Sequence, residues 1–305
     1  MMPRSAYMNL ILLSLIWGAS FFFIKILLTA VQPWTVVMLR SLVGLAVLFV
    51  IMVIKRDWAD LRKLPWIPLI ATGCLNMAIP WGLITMSEQH LTSSVTSVLN
   101  ATTPLWTMLI GLLFFRMKSS PAQWIGIGLG FVGILILLDL NTVSIISIDL
   151  LGFFGMIAAT TCYGFAAHLA KKYLSNLSSI QVSLFTLLFS AIVSSVLALG
   201  TEEINWSAVF MPQSLLALCG LGMFGSGFAY VLYYMLIQKG GAEFTSMVTY
   251  LVPVTAILWG YALLDEAVHW NLLVGLVCIS GGVFFAGRAS RKSSSATSVK
   301  KAASV

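Results

Sequence analysis

Few side chains in this 305-residue chain have the chemistry to hold a solute. Arg40 stands inside a long apolar run, and a planar guanidinium forks well onto a carboxylate. Two proline-centred segments form the other candidate. Asn100, Thr102 and Thr103 precede Pro104, while Thr249 and Tyr250 precede Pro253, and the two prolines are 149 residues apart. A proline has no N–H, so each frees the carbonyl four residues earlier, that of Asn100 and that of Thr249. Freed carbonyls beside an amide and several hydroxyls give a polar site, with Pro104 and Pro253 as gating points. The alternative is that the same hydroxyls only repair the kinks within a packed bundle, and the sequence leaves both readings open.

Aromatic residues at Trp17, Trp81, Tyr163, Tyr230 and Tyr234 suit a cavity for flat or apolar solutes, although helix packing and lipid contact use the same residues. Lys25 lies near the end of its apolar run, where it either meets substrate or snorkels to the interface. No Asp or Glu falls in the middle of an apolar run. Any proton coupling is therefore expected to run through Glu88 or Glu243, both at run ends, or through His168.

The chemistry these residues offer is recognition rather than bond breaking. The chain has no GxxxxGK[ST] phosphate loop, no HExxH and no GxSxG elbow. GLGFVG at 128–133 and GLGMFG at 220–225 match the dinucleotide fingerprint by letter, but inside apolar runs with no preceding strand they read as close-packing residues. Cys74, Cys162, Cys219 and Cys278 are scattered singly, without metal-ligand spacing. No enzyme activity, cofactor or metal is expected.

These residues must be held by elements suited to lipid. Hydrophobic residues make up 59% of the chain and charged ones 9%, against roughly a quarter charged in soluble domains. Ten apolar stretches, near 7–30, 34–54, 65–87, 91–115, 121–138, 149–170, 179–200, 212–238, 243–264 and 270–287, are each long enough to cross the bilayer as helix. The expected fold is all-α and integral to the membrane. Alternate loops then divide the charges. Fifteen of the 17 basic residues fall on one side and none in the opposite loops, which carry seven of the ten acidic ones, so both termini are expected in the cytoplasm. The net charge of +7 reports topology rather than nucleic-acid binding.

An internal repeat explains the spacing of the prolines. At the same offset of 149, Gly111 falls on Gly260, Gly126 on Gly275 and Gly133 on Gly282. The unit is five spans, residues 1–140 and 141–288, followed by a disordered basic cytoplasmic tail at 289–305. An odd number of spans inverts the second copy, and inverted repeats place a binding site near the midplane and permit alternating access. A secondary transporter is the expected function, with a passive channel or a non-transporting scaffold as the alternatives. Its partners are a small-molecule substrate and the lipid bilayer, and monomer and homodimer both stay open.

WGASFFFIK at 17–25, Arg40, SVTSVLNATTPLW ending at Trp106, and the recurrence FTSMVTYLVPVT at 244–255 followed by Asp265 and Glu266 resemble the EamA group of the drug/metabolite transporter superfamily. The resemblance implies ten helices in two inverted five-helix units in a bacterial inner or plasma membrane, moving small metabolites. Amino acids or amphipathic and aromatic compounds are the implied class, often carried outward. The acid that such repeats carry after the glycine-containing helix is Glu266 in the second half, and Met117 stands in its place in the first.

Overall fold

The structure is a computed structural model that describes residues 4–115, 117, 121–137, 149–233, 236 and 248–285. The described residues are helical, with no strands. Ten apolar segments are used below as α1 (Arg4–Leu28), α2 (Pro33–Lys55), α3 (Trp66–His90), α4 (Ser93–Phe114), α5 (Pro121–Leu137), α6 (Leu150–Tyr173), α7 (Ser179–Thr201), α8 (Pro212–Tyr233), α9 (Val248–Leu264) and α10 (Trp270–Phe285). Seven, α1–α4 and α6–α8, are long and apolar enough to cross a membrane, and α5, α9 and α10 are shorter apolar helices.

Local sequence sets the helix ends. Pro33 and Pro212 occupy the first turns of α2 and α8, where a missing N–H costs nothing. Ser178 and Gln181 form a reciprocal capping box at the start of α7. Asp149 caps α6 by accepting from the backbone N–H of Leu151 and Gly152.

Two helices depart from regular α geometry in a way the apolar pattern does not announce. A π-helical stretch spans Cys74–Ala78 within α3 and another spans Cys219–Phe228 within α8. In the second, the Ser226 hydroxyl donates to the Leu221 carbonyl five residues back, at 3.1 Å. The proline expectation divides. Pro104 does not kink a continuous helix; α4 breaks at Ala101–Thr102 and Pro104 restarts it in a new first turn. Pro253 instead sits inside α9.

The bundle is organised around α2 and α7, which pack antiparallel. Midway, Ser41 and Ser190 hydroxyls hydrogen-bond at 2.9 Å. Glu202, after the end of α7, accepts from the Trp34 and Thr35 N–H groups and the Thr35 hydroxyl at the start of α2, each at 2.7 Å. Asp57, after the end of α2, accepts from the Gln181 amide at 2.8 Å and from the Ser178 hydroxyl at 2.5 Å at the start of α7. Around this pair, α1 packs on α9, tied by the Thr255 hydroxyl to the Ser14 carbonyl at 2.7 Å, while α6 packs on α3 and α4.

Helices α5 and α10 meet through glycines. A Cβ at Gly133 would lie 2.9 Å from the Gly275 carbonyl oxygen, and one at Gly282 would lie 2.5 Å from that of Gly126. Adding or subtracting 149 turns one contact into the other. Close approach is thus the role of these glycines, as expected for residues inside apolar helices. The outer surface carries large apolar side chains such as Ile67, Leu113 and Val277, while Ser and Thr hydroxyls are buried within. Backbone and side-chain polarity facing inward and hydrocarbon facing outward is the distribution that a bilayer requires.

Candidate functional site

A cavity of about 810 Å³ runs through the middle of the bundle. That is within the range of sites that enclose whole metabolites or drug-sized ligands. Its lining brings together Trp17, Arg40, Trp81, Asn100, Thr103, Pro104, Tyr163, His168, Tyr230, Tyr250 and Pro253 of the expected residues. Toward one end the lining reaches no further than Ile24 on α1 and Ile84 on α3; at the other, exposed Met117 and Ala167 contribute.

Arg40 is buried, at 6% exposure, with its guanidinium over the Trp81 ring, 3.7 Å from the centroid. Such a stack, removed from water, contributes about 2 kcal/mol. Its Nε and Nη2 donate to the Ser226 hydroxyl at 3.3 and 3.2 Å. Among the described residues no carboxylate forms an ion pair with it. A buried guanidinium held by a ring face and one hydroxyl keeps donors for an anionic group. One residue before Ser226 on α8, the Gly225 carbonyl accepts from the Trp17 indole at 3.2 Å, and Trp17 packs on Tyr230 and Tyr233, with centroids 6.1 and 5.6 Å away.

The break in α4 supplies the polar side of the cavity. The Asn100 carbonyl that Pro104 leaves free accepts from the Thr103 hydroxyl at 2.7 Å, and Thr107 donates in turn to the Thr103 carbonyl at 2.9 Å. The hydroxyls thus repair the break. The Asn100 Oδ1, however, is shielded and has no hydrogen-bond partner among the described residues. Thr102 is fully buried and donates to the Leu99 carbonyl at 2.6 Å, away from the cavity lining. His168 stacks on Phe115 at 4.6 Å, with Nε2 2.9 Å from the Thr107 carbonyl.

Two residues beyond the closed end were expected at span ends and are drawn into the protein. Lys25 does not snorkel: its Nζ donates to the backbone carbonyl of Glu88. Glu88 lies two residues from the end of α3 but is 0% exposed, and both carboxyl oxygens lack hydrogen-bond partners among the described residues. Neither residue lines the cavity. Beside them, the Glu266 carboxylate accepts from the Ser93 N–H at 2.7 Å, the Ser94 N–H at 3.0 Å and the Ser94 hydroxyl at 2.6 Å, capping α4. Tyr234, Glu243 and the side chain of Thr249 lie outside the described residues.

Thr72, Asn76 and Gln123 also line the cavity, and the sequence reading passes over them. The signal for Asn76 is a lone amide within an apolar run; the π-helical stretch that carries it has no such mark.

Residues 4–139 and, again, 150–288 match the EamA-like transporter family. The chain is 25% identical to the "uncharacterized transporter YoaV" of Bacillus subtilis, over 91% of this chain and 94% of that one. It is also 25% identical to the "uncharacterized inner membrane transporter YedA" of Escherichia coli K12, over 87% and 85%. A solved crystal structure shares the fold with a TM-score of 0.65 at 18% identity, covering 95% of this chain and 99% of the other.

Proposed function

The chain belongs to the EamA-like transporter family, a multi-pass membrane protein family whose members here are named as transporters rather than enzymes, and from that premise we propose a secondary transporter working by alternating access. Its substrates are small amphipathic metabolites that join an anionic group to a flat or apolar body, with amino acids and aromatic compounds in the class. One observation carries this reading. Arg40 presents a buried cation without a carboxylate partner among the described residues, in a cavity walled by Trp17, Trp81, Tyr163 and Tyr230. Asn100 lines the same cavity, and its shielded, unpartnered Oδ1 becomes an acceptor for the substrate's N–H donors once the side chain turns toward the solute. Thr103 and Tyr250 complete the lining, Thr102 and Lys25 lie outside it, and Tyr234 and the Thr249 side chain are beyond the described residues.

Ten spans in two inverted halves, 1–140 and 141–288, with a cytoplasmic tail at 289–305, give this cavity its mechanism. The two family matches support the halves, as do the glycine contacts of α5 with α10 and the reciprocal clasps of Glu202 on the start of α2 and of Asp57 on the Ser178 and Gln181 side chains at the start of α7, each of which has its counterpart in the other half. With the basic loops in the cytoplasm of a bacterial inner membrane, the end near Met117 faces inward and the Ile24–Ile84 end faces out, an arrangement that supports loading from inside and net outward movement. Pro104 and Pro253 sit where the walls must flex. Coupling to protons, where it occurs, runs through Glu88, Glu243 or His168.

The test is counterflow in proteoliposomes with a panel of labelled amino acids and aromatic acids. Saturable uptake accelerated by substrate on the opposite side is expected. Flux that neither saturates nor responds to trans substrate identifies a channel, and no flux for any solute identifies a scaffold.

A further inference from the structure

The closed end of the cavity contains a buried acid that no substrate contact explains. Trp81, Ile84 and Glu88 follow one another at helical spacing on α3; the first two line the cavity and the third lies just past its end. Both Glu88 oxygens are shielded without a hydrogen-bond partner among the described residues, as are the hydroxyls of Ser87 and Ser93 at the same α3–α4 junction. The charged groups that face it are Lys25 from α1, Arg40 from α2 and Glu266 from the α9–α10 connection. None of them reaches the Glu88 carboxyl oxygens with a hydrogen bond. Lys25 donates to the Glu88 carbonyl, not its carboxyl; Arg40 is held by Trp81 and Ser226; Glu266 caps α4. On the α6 side, Asp149 pairs with His90 at the rim, at 2.6 Å.

A carboxylate placed there would be a charge sealed from water without a hydrogen bond, opposed by Glu266 and offset only by the nearby Lys25 and Arg40, whereas the carboxylic acid carries no charge. Opening that end admits water and lets the same group ionise within reach of Lys25. We propose that Glu88 is a proton-binding site of the seal: closing this end takes one proton from the solution that bathes it, and opening returns that proton to the same solution. Glu88 forms an O–H bond on closing and loses it on opening, so the balance is one proton each way, with no charge crossing by this step alone. The inference rests on the alternating-access reading, because it assigns the proton to one of two facing states.

Hydrogen exchange of the full chain in lipid nanodiscs tests it without a substrate. Protection of the α3–α4 junction, residues 86–95, is followed between about pH 5 and about pH 9, the range over which buried carboxyls titrate. After correction for intrinsic exchange, wild-type protection is expected to fall as pH rises, by at most about tenfold per pH unit for a single proton. Glu88→Gln is expected to stay protected and flat throughout; Glu88→Leu serves in its place should Gln not fold. A flat wild-type profile, or a variant that follows the wild-type curve, overturns the proton site. Failure of the transport reading shows separately, as absent counterflow for every solute, whatever the junction does with pH.

Discussion

The guanidinium of Arg40 lies over the Trp81 ring, 3.7 Å from its centroid, although the two residues belong to different helices and 40 residues separate them in the chain. The geometry makes charge and planarity separable. Arg40→Lys keeps the charge but loses the fork and the stack. Counterflow of a carboxylate substrate by Arg40→Ala is expected to show an apparent KM raised by about tenfold or more, the equivalent of about 1.4 kcal/mol. Arg40→Lys should recover only part of that loss. Equal KM values for wild type and Arg40→Ala would remove Arg40 from the substrate site.

Asn100 is the polar counterpart. With its backbone carbonyl already bonded by Thr103, truncation to Ala removes the side-chain amide, with its unpartnered oxygen, and leaves the backbone bond in place. Substrates bearing an N–H donor should weaken by roughly 1 kcal/mol, about fivefold, while analogues lacking that donor should be unaffected. Competition assays in proteoliposomes measure both.

Glycine packing between α5 and α10 sets a stability prediction. A methyl at Gly282 would lie 2.5 Å from the Gly126 oxygen and 2.6 Å from the Gly130 nitrogen, and backbone cannot yield as a side-chain tip does. Gly282→Ala is expected to cost about 1–3 kcal/mol through forced separation of the helices. Thermal unfolding in detergent reads the loss. Gly128→Ala, with nothing within 4 Å, is the control that should melt no lower than wild type, since alanine is the better helix former.

Asp149 carries a pH dependence. Partial desolvation pushes its carboxyl up, but the N–H groups of Gly152 and Leu151, with the His90 imidazole, outweigh this and hold it below the usual carboxylate range. A group held low in the folded protein stabilises it fully above the ordinary carboxylate pKa, and the contribution fades as pH falls through the folded value. Asp149→Asn keeps the cap and removes the charge. Its melting temperature should lie below wild type at neutral pH and converge with it in acid.

How much of this was legible depends on what each residue's signal was. The repeat offset of 149 was written in prolines and glycines because backbone constraints leave few substitutes, and it reappears in space as the Gly133–Gly275 and Gly126–Gly282 contacts. Arg40 and Asn100 were legible as polar residues in apolar runs. Glu88 was not: its place near the end of α3 suggested an interface, and only the packing of α1 and the Glu266 cap over it makes it interior. Hydropathy reads position along a helix and is blind to what covers its end. The π-helical stretches were silent for a related reason, since shifting hydrogen bonds from four residues back to five changes no side-chain polarity. Ser41 and Ser190, spaced by the repeat offset yet bonded to each other, needed the α2–α7 crossing to be known.

Glu266 and Met117 hold the same place in their halves. The Glu266 N–H donates to the Gly260 carbonyl at 3.1 Å and the Met117 N–H to the Gly111 carbonyl at 3.0 Å. One side chain clasps the start of a helix in the other half, and the thioether has no charge with which to do the same. If the halves exchange roles during transport, the two closed forms are unequal, because one has a latch and the other lacks it. The idle protein should therefore wait with the latched door shut and the other ajar, a built-in resting preference that a Met117→Glu, Glu266→Gln double exchange would be expected to reverse.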